Sequence, residues 1–167
     1  MNPLRRILFA SIALAASLPA FGQITYCMQT KPTSVPGCFA MLTAPDPTLA
    51  TGSWDVSNIP MGPGQTGANG IFIYTNGVGI GQSAVSVPVP FGTLCLSNFN
   101  RSTPPCPFLS FFAASNTCVA SVSLPINCSA GGLGINVGDD VNVQFWYRDM
   151  PAGAAANFSN AIFYTVQ

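Results

Sequence analysis

The sequence predicts an all-β domain, a disulfide-stapled antiparallel β-sandwich of about eight strands that follows a signal peptide. Three observations support this prediction. The chain of 167 residues contains 16 Gly and 15 Pro, which are scattered and divide it into short β-rich runs. It contains six cysteines, and it begins with a short apolar run behind two arginines. No helical period is sustained after that run, which disfavours a helical fold.

The first 22 residues have the composition of a secretory signal peptide. Two arginines precede an apolar run over residues 7–18, and a proline and small residues follow it. A cut after Gly22 fits the small-residue rule, and a cut after Ala20 is the alternative. We therefore expect a signal peptide over residues 1–22 and a single domain over residues 23–167, secreted or held at the cell surface, with no membrane span in the mature chain.

Eight runs are predicted as strands because each is rich in β-branched or aromatic residues and bounded by turn residues. They are Ser53–Asn58, Gly70–Thr75, Gln82–Val87, Thr93–Leu96, Phe108–Ala113, Thr117–Leu124, Val141–Arg148 and Asn160–Val166. Short strands at this spacing are typical of a β-sandwich or barrel. "TNG" at residues 75–77 and "GDD" at residues 138–140 predict turns, because Asn and Gly tolerate positive φ.

The run "VNVQFWYR" at residues 141–148 alternates as a half-buried strand does. Its predicted core face carries Val141, Val143, Phe145 and Tyr147. Its polar face carries Asn142, Gln144, Trp146 and Arg148. We expect the Arg148 guanidinium to lie over the Trp146 indole and Asp149 to cap the next turn. Neighbouring residues of a strand point to opposite sides, so Arg148 and Asp149 are predicted to be architecture and not a catalytic pair.

The charges that follow residue 22 exclude one class of function. They are three basic residues, Lys31, Arg101 and Arg148, and five aspartates, which give a net charge of −2. A nucleic-acid-binding protein needs a basic patch, and this chain has none in its sequence. A surface with so few charges favours adhesion or assembly.

The same composition disfavours catalysis. The chain contains no histidine and no glutamate, and general acid–base catalysis usually depends on His, Glu or Asp. One enzymatic alternative remains, a hydrolase in which Asp139 and Asp140 act with Asp55 or Asp149. No local pattern selects such a pair, so we predict no catalytic residues and no cofactor.

Asp139 and Asp140 are also an alternative candidate for a calcium site. Asn136 and Asn142 lie nearby in the sequence, and Ca²⁺ prefers oxygen ligands. The order of these residues does not match a known calcium loop, and a turn followed by a strand accounts for them. No metal site is therefore predicted.

Aromatic residues give the main indication of binding. Trp54 and Trp146 are candidates for an exposed surface, because aromatic rings on a sheet stack on sugars or on a partner protein. Arg148, beside Trp146, is a further candidate for ligand contact. The partner would be a cell-surface protein or a glycan.

The cysteines predict three disulfides, since an exported chain folds in an oxidising compartment. They are Cys27, Cys38, Cys95, Cys106, Cys118 and Cys128. The sequence alone leaves their pairing open. A zinc site is disfavoured, because the chain has no histidine and no Cys-x-x-Cys pair.

Five segments resemble a β module of uncharacterised secreted proteins of environmental bacteria, often placed at their C-termini. They are "NGIFIYTNG" (69–77), "FGTLCLSNFNR" (91–101), "CVASVSL" (118–124), "VQFWYRD" (143–149) and "FSNAIFYTV" (158–166). The resemblance implies no activity and no catalytic residue. It implies three pairings: Cys27 with Cys38, Cys95 with Cys118 and, by elimination, Cys106 with Cys128.

These observations favour a secreted or cell-surface, non-enzymatic structural or binding module. The first alternative is the aspartate hydrolase. The second is a fibre subunit of the donor-strand type, indicated by the chain length and the alternating terminal run "NAIFYTV" at residues 160–166.

Overall fold

The computed structural model describes residues 22–28, 33–77, 79, 84–89, 92–102, 106, 109–128, 133–149 and 156–167. In this part of the chain all the regular structure is β-strand, and all the strand pairs are antiparallel. The all-β prediction is confirmed. No helix suited to crossing a bilayer occurs in the same residues. The predicted signal peptide lies outside them, apart from Gly22.

The described residues form eleven strands. They are β1 (Ile24–Tyr26), β2 (Met41–Thr43), β3 (Ser53–Met61), β4 (Gly67–Asn76), β5 (Ala84–Val89), β6 (Gly92–Leu96), β7 (Asn100–Arg101), β8 (Leu109–Phe112), β9 (Thr117–Pro125), β10 (Asp140–Arg148) and β11 (Ala156–Thr165). Each of the eight predicted runs overlaps one of these strands. The three that were not predicted, β1, β2 and β7, have only two or three residues.

The strands are arranged in three sheets. The central sheet has the order β1-β11-β10-β4-β7, and β8 also pairs with β4. The outer sheet has the order β2-β3-β9, and β5 and β6 form a separate hairpin. The predicted turns lie at the ends of two central strands: Gly77, with φ of 70°, follows β4, and Gly138, with φ of 90°, precedes β10.

The main core lies between the central and outer sheets. The predicted core face of β10 is fully buried there. The Trp54 ring of β3 lies 5.4 Å from the Phe72 ring and 5.6 Å from the Tyr74 ring of β4, centroid to centroid. Trp54 Nε1 donates a hydrogen bond of 2.6 Å to the Tyr164 hydroxyl of β11. These two sheets form the predicted sandwich.

Part of the second face of the central sheet is covered as well, by the hairpin. Asn142 and Gln144, which the alternation assigns to a polar face, have 0% exposure. Gln144 Nε2 donates to the Thr93 carbonyl at 2.9 Å, and Cys95 N donates to Gln144 Oε1 at 3.0 Å. The Gln144 side-chain amide thus accepts one hydrogen bond from the main chain of β6 and donates one to it, as the main chain of a paired strand would. The hairpin thus adds a third layer over Gln144, whereas Trp146 on the same face is partly exposed and Arg148 is exposed.

A side chain beside a bulge in β11 connects the central sheet to the outer sheet. The pairing of β10 with β11 shifts between Gln144 and Trp146. Beside this irregularity the Asn160 side chain meets the main chain of β2. Leu42 N donates to Asn160 Oδ1 at 2.7 Å, and Asn160 Nδ2 donates to the Leu42 carbonyl at 3.0 Å. Asn160 is 1% exposed, so a buried amide satisfies both polar groups of Leu42.

All six cysteines are paired, which confirms the three predicted disulfides. The pairs are Cys27–Cys95, Cys38–Cys118 and Cys106–Cys128. The third pairing agrees with the expectation, but the pairings of Cys27 with Cys38 and of Cys95 with Cys118 are wrong. Each of these two bridges joins elements that are neighbours in space and distant in sequence. Cys27 follows β1 of the central sheet and meets the hairpin that covers it, whereas Cys38 leads into the outer sheet and meets β9.

Stability is expected to fall at alkaline pH. Burial raises the pKa of Tyr26, Tyr74 and Tyr164, and at Tyr164 the hydrogen bond from Trp54 opposes this effect. An unfolded tyrosine titrates near pH 10, so the stability from keeping these phenols neutral is complete below about pH 10 and is lost as the pH rises through the folded pKa values. Thermal melts from about pH 8 to about pH 12, read beside tyrosinate absorbance, test this. Tyr164→Phe should flatten the decline, and a pH-independent melting temperature in the wild type would contradict the prediction.

Candidate binding cavity

A cavity of about 350 Å³ opens between the hairpin and the central sheet. Its lining residues are Ile71, Ile73, Val89, Leu94, Phe99, Arg101, Trp146 and Phe158. Trp146 pairs with Ile71 of β4 on one side and with Phe158 of β11 on the other, so these three side chains form a row on the floor. Val89 and Leu94 form the wall on the hairpin. Sites for small ligands usually have volumes of about 300–1,000 Å³, so this cavity is at the small end of that range.

Two attachments hold the hairpin over the sheet. Gln144 bonds the main chain of β6 and donates a further hydrogen bond of 3.0 Å to the Ser159 carbonyl of β11. The Cys27–Cys95 disulfide links β6 to the segment after β1. Both attachments lie on the hairpin strand that also carries Leu94. The cavity is therefore built before any ligand arrives.

The charged groups beside the cavity are cationic. Arg101 of β7 lies at the rim, exposed, and is paired with Ile73 of β4. The Arg148 guanidinium carbon lies 5.6 Å from the centroid of the Trp146 ring, which confirms the predicted cation–π contact. No acidic residue is among the described residues that line the cavity. The rim therefore favours a negatively charged group.

The two tryptophans have different environments. Trp146 is partly exposed and lines the cavity, so it remains a candidate for ligand contact. Trp54 has 0% exposure, so its assignment to an exposed recognition surface is wrong. The cause is its place on β3, the middle strand of the outer sheet, where its side chain points into the sandwich.

Asp149 joins two distant segments of the chain. It is 4% exposed, and each of its carboxylate oxygens accepts a hydrogen bond of 3.2 Å from Ser34 N. Asn157 Nδ2 of β11 donates to the same carboxylate at 3.4 Å. The turn that Asp149 was expected to cap lies outside the described residues. Its partners agree with a role in architecture.

Asp149→Ala is expected to destabilise the fold more than Arg148→Ala. The first change removes the acceptor of the partly buried Ser34 N and of the buried Asn157 Nδ2, at a cost of about 1–3 kcal/mol. The second removes an exposed cation–π contact worth about 0.5–1 kcal/mol. Urea denaturation measures both, and Asp149→Asn, which keeps an acceptor oxygen, serves as the matched control. A larger loss in Arg148→Ala than in Asp149→Ala would refute this assignment.

The remaining candidate aspartates accept hydrogen bonds from their own turn, their own strand or a neighbouring strand. Asp139 Oδ2 accepts a hydrogen bond of 2.8 Å from Asn136 N, within the turn before β10. Asp140 Oδ1 accepts one of 2.7 Å from the Thr165 hydroxyl, and Asp55 Oδ1 accepts one of 3.0 Å from the Ser53 hydroxyl. Across the described ranges no three His, Cys, Asp or Glu side chains come together as metal ligands would.

Most of the cavity was not predicted from the sequence. Arg101, Leu94 and Phe158 come from three different strands, and the segments of the resemblance that contain them imply no binding role. One signal was present in β4, where "IFIY" at residues 71–74 is hydrophobic at successive positions and does not alternate. Such runs are typical of strands that are buried on both faces, so the run indicates a second covering layer.

Comparison of the chain with protein-family models, curated proteins and solved structures gave no match.

Proposed function

We propose that this chain is an exported, non-enzymatic module that binds a ligand in the cavity beside Trp146. The observation that carries the proposal is the cavity itself, which is preformed, mainly apolar and marked by two aromatic floor residues and one arginine at its rim. Small-ligand sites commonly combine an apolar lining with a few polar groups that orient the ligand.

Three features support export. The first 22 residues have the composition of a signal peptide. The three disulfides fit an oxidising compartment, in which such bonds form and persist. The resemblance to secreted β modules agrees with both features.

The hydrogen bonding of the aspartates supports the absence of catalysis. Asp46, Asp55 and Asp139 accept hydrogen bonds from groups of their own loop or strand. Asp140 accepts one from the neighbouring strand β11, and Asp149 accepts hydrogen bonds from Ser34 and from β11. Carboxylates used in this way stabilise turns and strand ends. Incubation of the protein with a panel of polysaccharides and esters tests this part of the proposal. Turnover that Asp139→Ala or Asp149→Ala abolishes would overturn it.

The binding part is tested with two matched variants. Leu94→Arg places a charge in the cavity wall, whereas Val119→Arg places the same charge on β9 of the outer sheet, where Val119 is 70% exposed. The wild-type protein is screened against a glycan array and a set of small apolar compounds. We expect ligands that bind the wild type and Val119→Arg equally and fail to bind Leu94→Arg. Binding that survives in folded Leu94→Arg would place the site elsewhere.

A further inference from the structure

We infer that the ligand is a small, single-chain amphiphile with a carboxylate head, whose alkyl chain fills the cavity and whose carboxylate binds Arg101. This inference rests on the proposed function, because it names the class of ligand for the same cavity. Its three supports are the chemistry of the lining, the size of the cavity and the charge at its rim.

The lining favours an alkyl chain over a sugar. Seven of its eight side chains are apolar, and they come from both the sheet and the hairpin. A sugar that entered would bury hydroxyl groups against side chains that offer almost no hydrogen bonds, and an unpaired buried hydroxyl is costly. An alkyl chain gains from each buried methylene and needs no polar partner.

The volume limits the ligand to one short chain. At about 350 Å³ the cavity is near the lower bound of ligand sites, which is about 300 Å³. A two-chain lipid is therefore too large to enter. The partial opening of the cavity toward solvent leaves room for a polar head beside Arg101.

The rim selects an anionic head. Arg101 is the one charged residue among those described as lining the cavity, and its guanidinium presents paired donors that match the two oxygens of a carboxylate. Arg148, on the Trp146 ring, adds positive charge to the same side of the central sheet. A cationic head would meet two arginines and no described acidic group of the lining.

Three probes with the same chain and different heads test this inference: decanoate, decanol and decyltrimethylammonium, each used below its micelle concentration. Calorimetry gives the affinities, and the fluorescence of Trp146, with Trp146→Phe as the blank, locates the site. We expect decanoate to bind at least about tenfold more tightly than the other two, as one charge-assisted pair allows. Arg101→Gln should remove this preference, and Arg101→Glu should transfer it to the cation.

Arg148→Gln is the matched control, because it removes the same charge from a residue outside the lining. It should change decanoate binding much less than Arg101→Gln does. Equal affinities for the three probes, or equal losses in the two Gln variants, would overturn the inference. Failure of all three probes, together with capture of a glycan that Leu94→Arg abolishes, would also overturn it and leave the proposed function standing. Failure of every ligand in both screens would overturn both.

Discussion

Replacement of Cys38 and Cys118 together by alanine is expected to cost the fold about 4.5 kcal/mol in the chain-entropy model, at the upper end of the about 2–5 kcal/mol that such changes usually cost. The reason is the length of the closed loop, because the two residues are 80 positions apart. The bridge also connects the segment before β2 with β9 of the outer sheet, so its loss frees one side of the sandwich. Urea denaturation of the non-reduced protein measures the change.

The Cys106–Cys128 bridge is the matched control. Its cysteines are 22 positions apart, so the same model gives about 3.4 kcal/mol for its loss. The long bridge should therefore be the more costly one to remove. Peptide mapping without reduction must also recover Cys38 linked to Cys118. Recovery of Cys38 linked to Cys27 would contradict the structure, and a greater loss from removing the short bridge would contradict the ranking.

The long strands could be predicted because each carries enough residues to show a pattern. β10 is the clearest case, since Val141 to Tyr147 alternate and the predicted core positions are fully buried. β1, β2 and β7 have two or three residues and no period to detect. Their positions depend on the strands that they pair with, so the sequence of each short segment does not specify them.

The second face of the central sheet was not predicted, for a related reason. Gln144 is polar, and its alternation with Phe145 is typical of a residue exposed to solvent. Its burial is tolerated because β6 provides a donor and an acceptor at the right distance. That arrangement depends on the tertiary position of the hairpin, which no local pattern of β10 contains.

The cavity and the disulfide pairing depend on the same tertiary information. Trp146 was a candidate from its residue type, and its partner Arg148 followed from the spacing within one strand. Arg101 and Leu94 line the same cavity as Trp146 only because their three strands pack together in the fold. The resemblance likewise implied pairings between cysteines close in sequence, whereas the sheet order brings Cys27 to Cys95.

Trp54→Ala is expected to destabilise the fold by about 3–5 kcal/mol, as large-to-small changes in a core usually do. Trp54 has 0% exposure and contacts the rings of Phe72 and Tyr74 across the sandwich. The change also removes the indole donor to Tyr164. Each kcal/mol lowers the melting temperature of a domain of about 150 residues by about 2–4 °C, so thermal melts should show a large decrease.

Two controls separate the contributions to this loss. Trp54→Phe keeps an aromatic ring in the core and removes the hydrogen bond to Tyr164, so it should cost much less than Trp54→Ala. Trp146→Ala truncates the other tryptophan, which is partly exposed and lines the cavity, so its stability loss should also be smaller while ligand binding is lost. Trp54 would then stabilise the core and Trp146 would bind the ligand, whereas the sequence made both of them candidates for binding. A Trp54→Ala variant that keeps its stability and loses binding would show that this division is reversed.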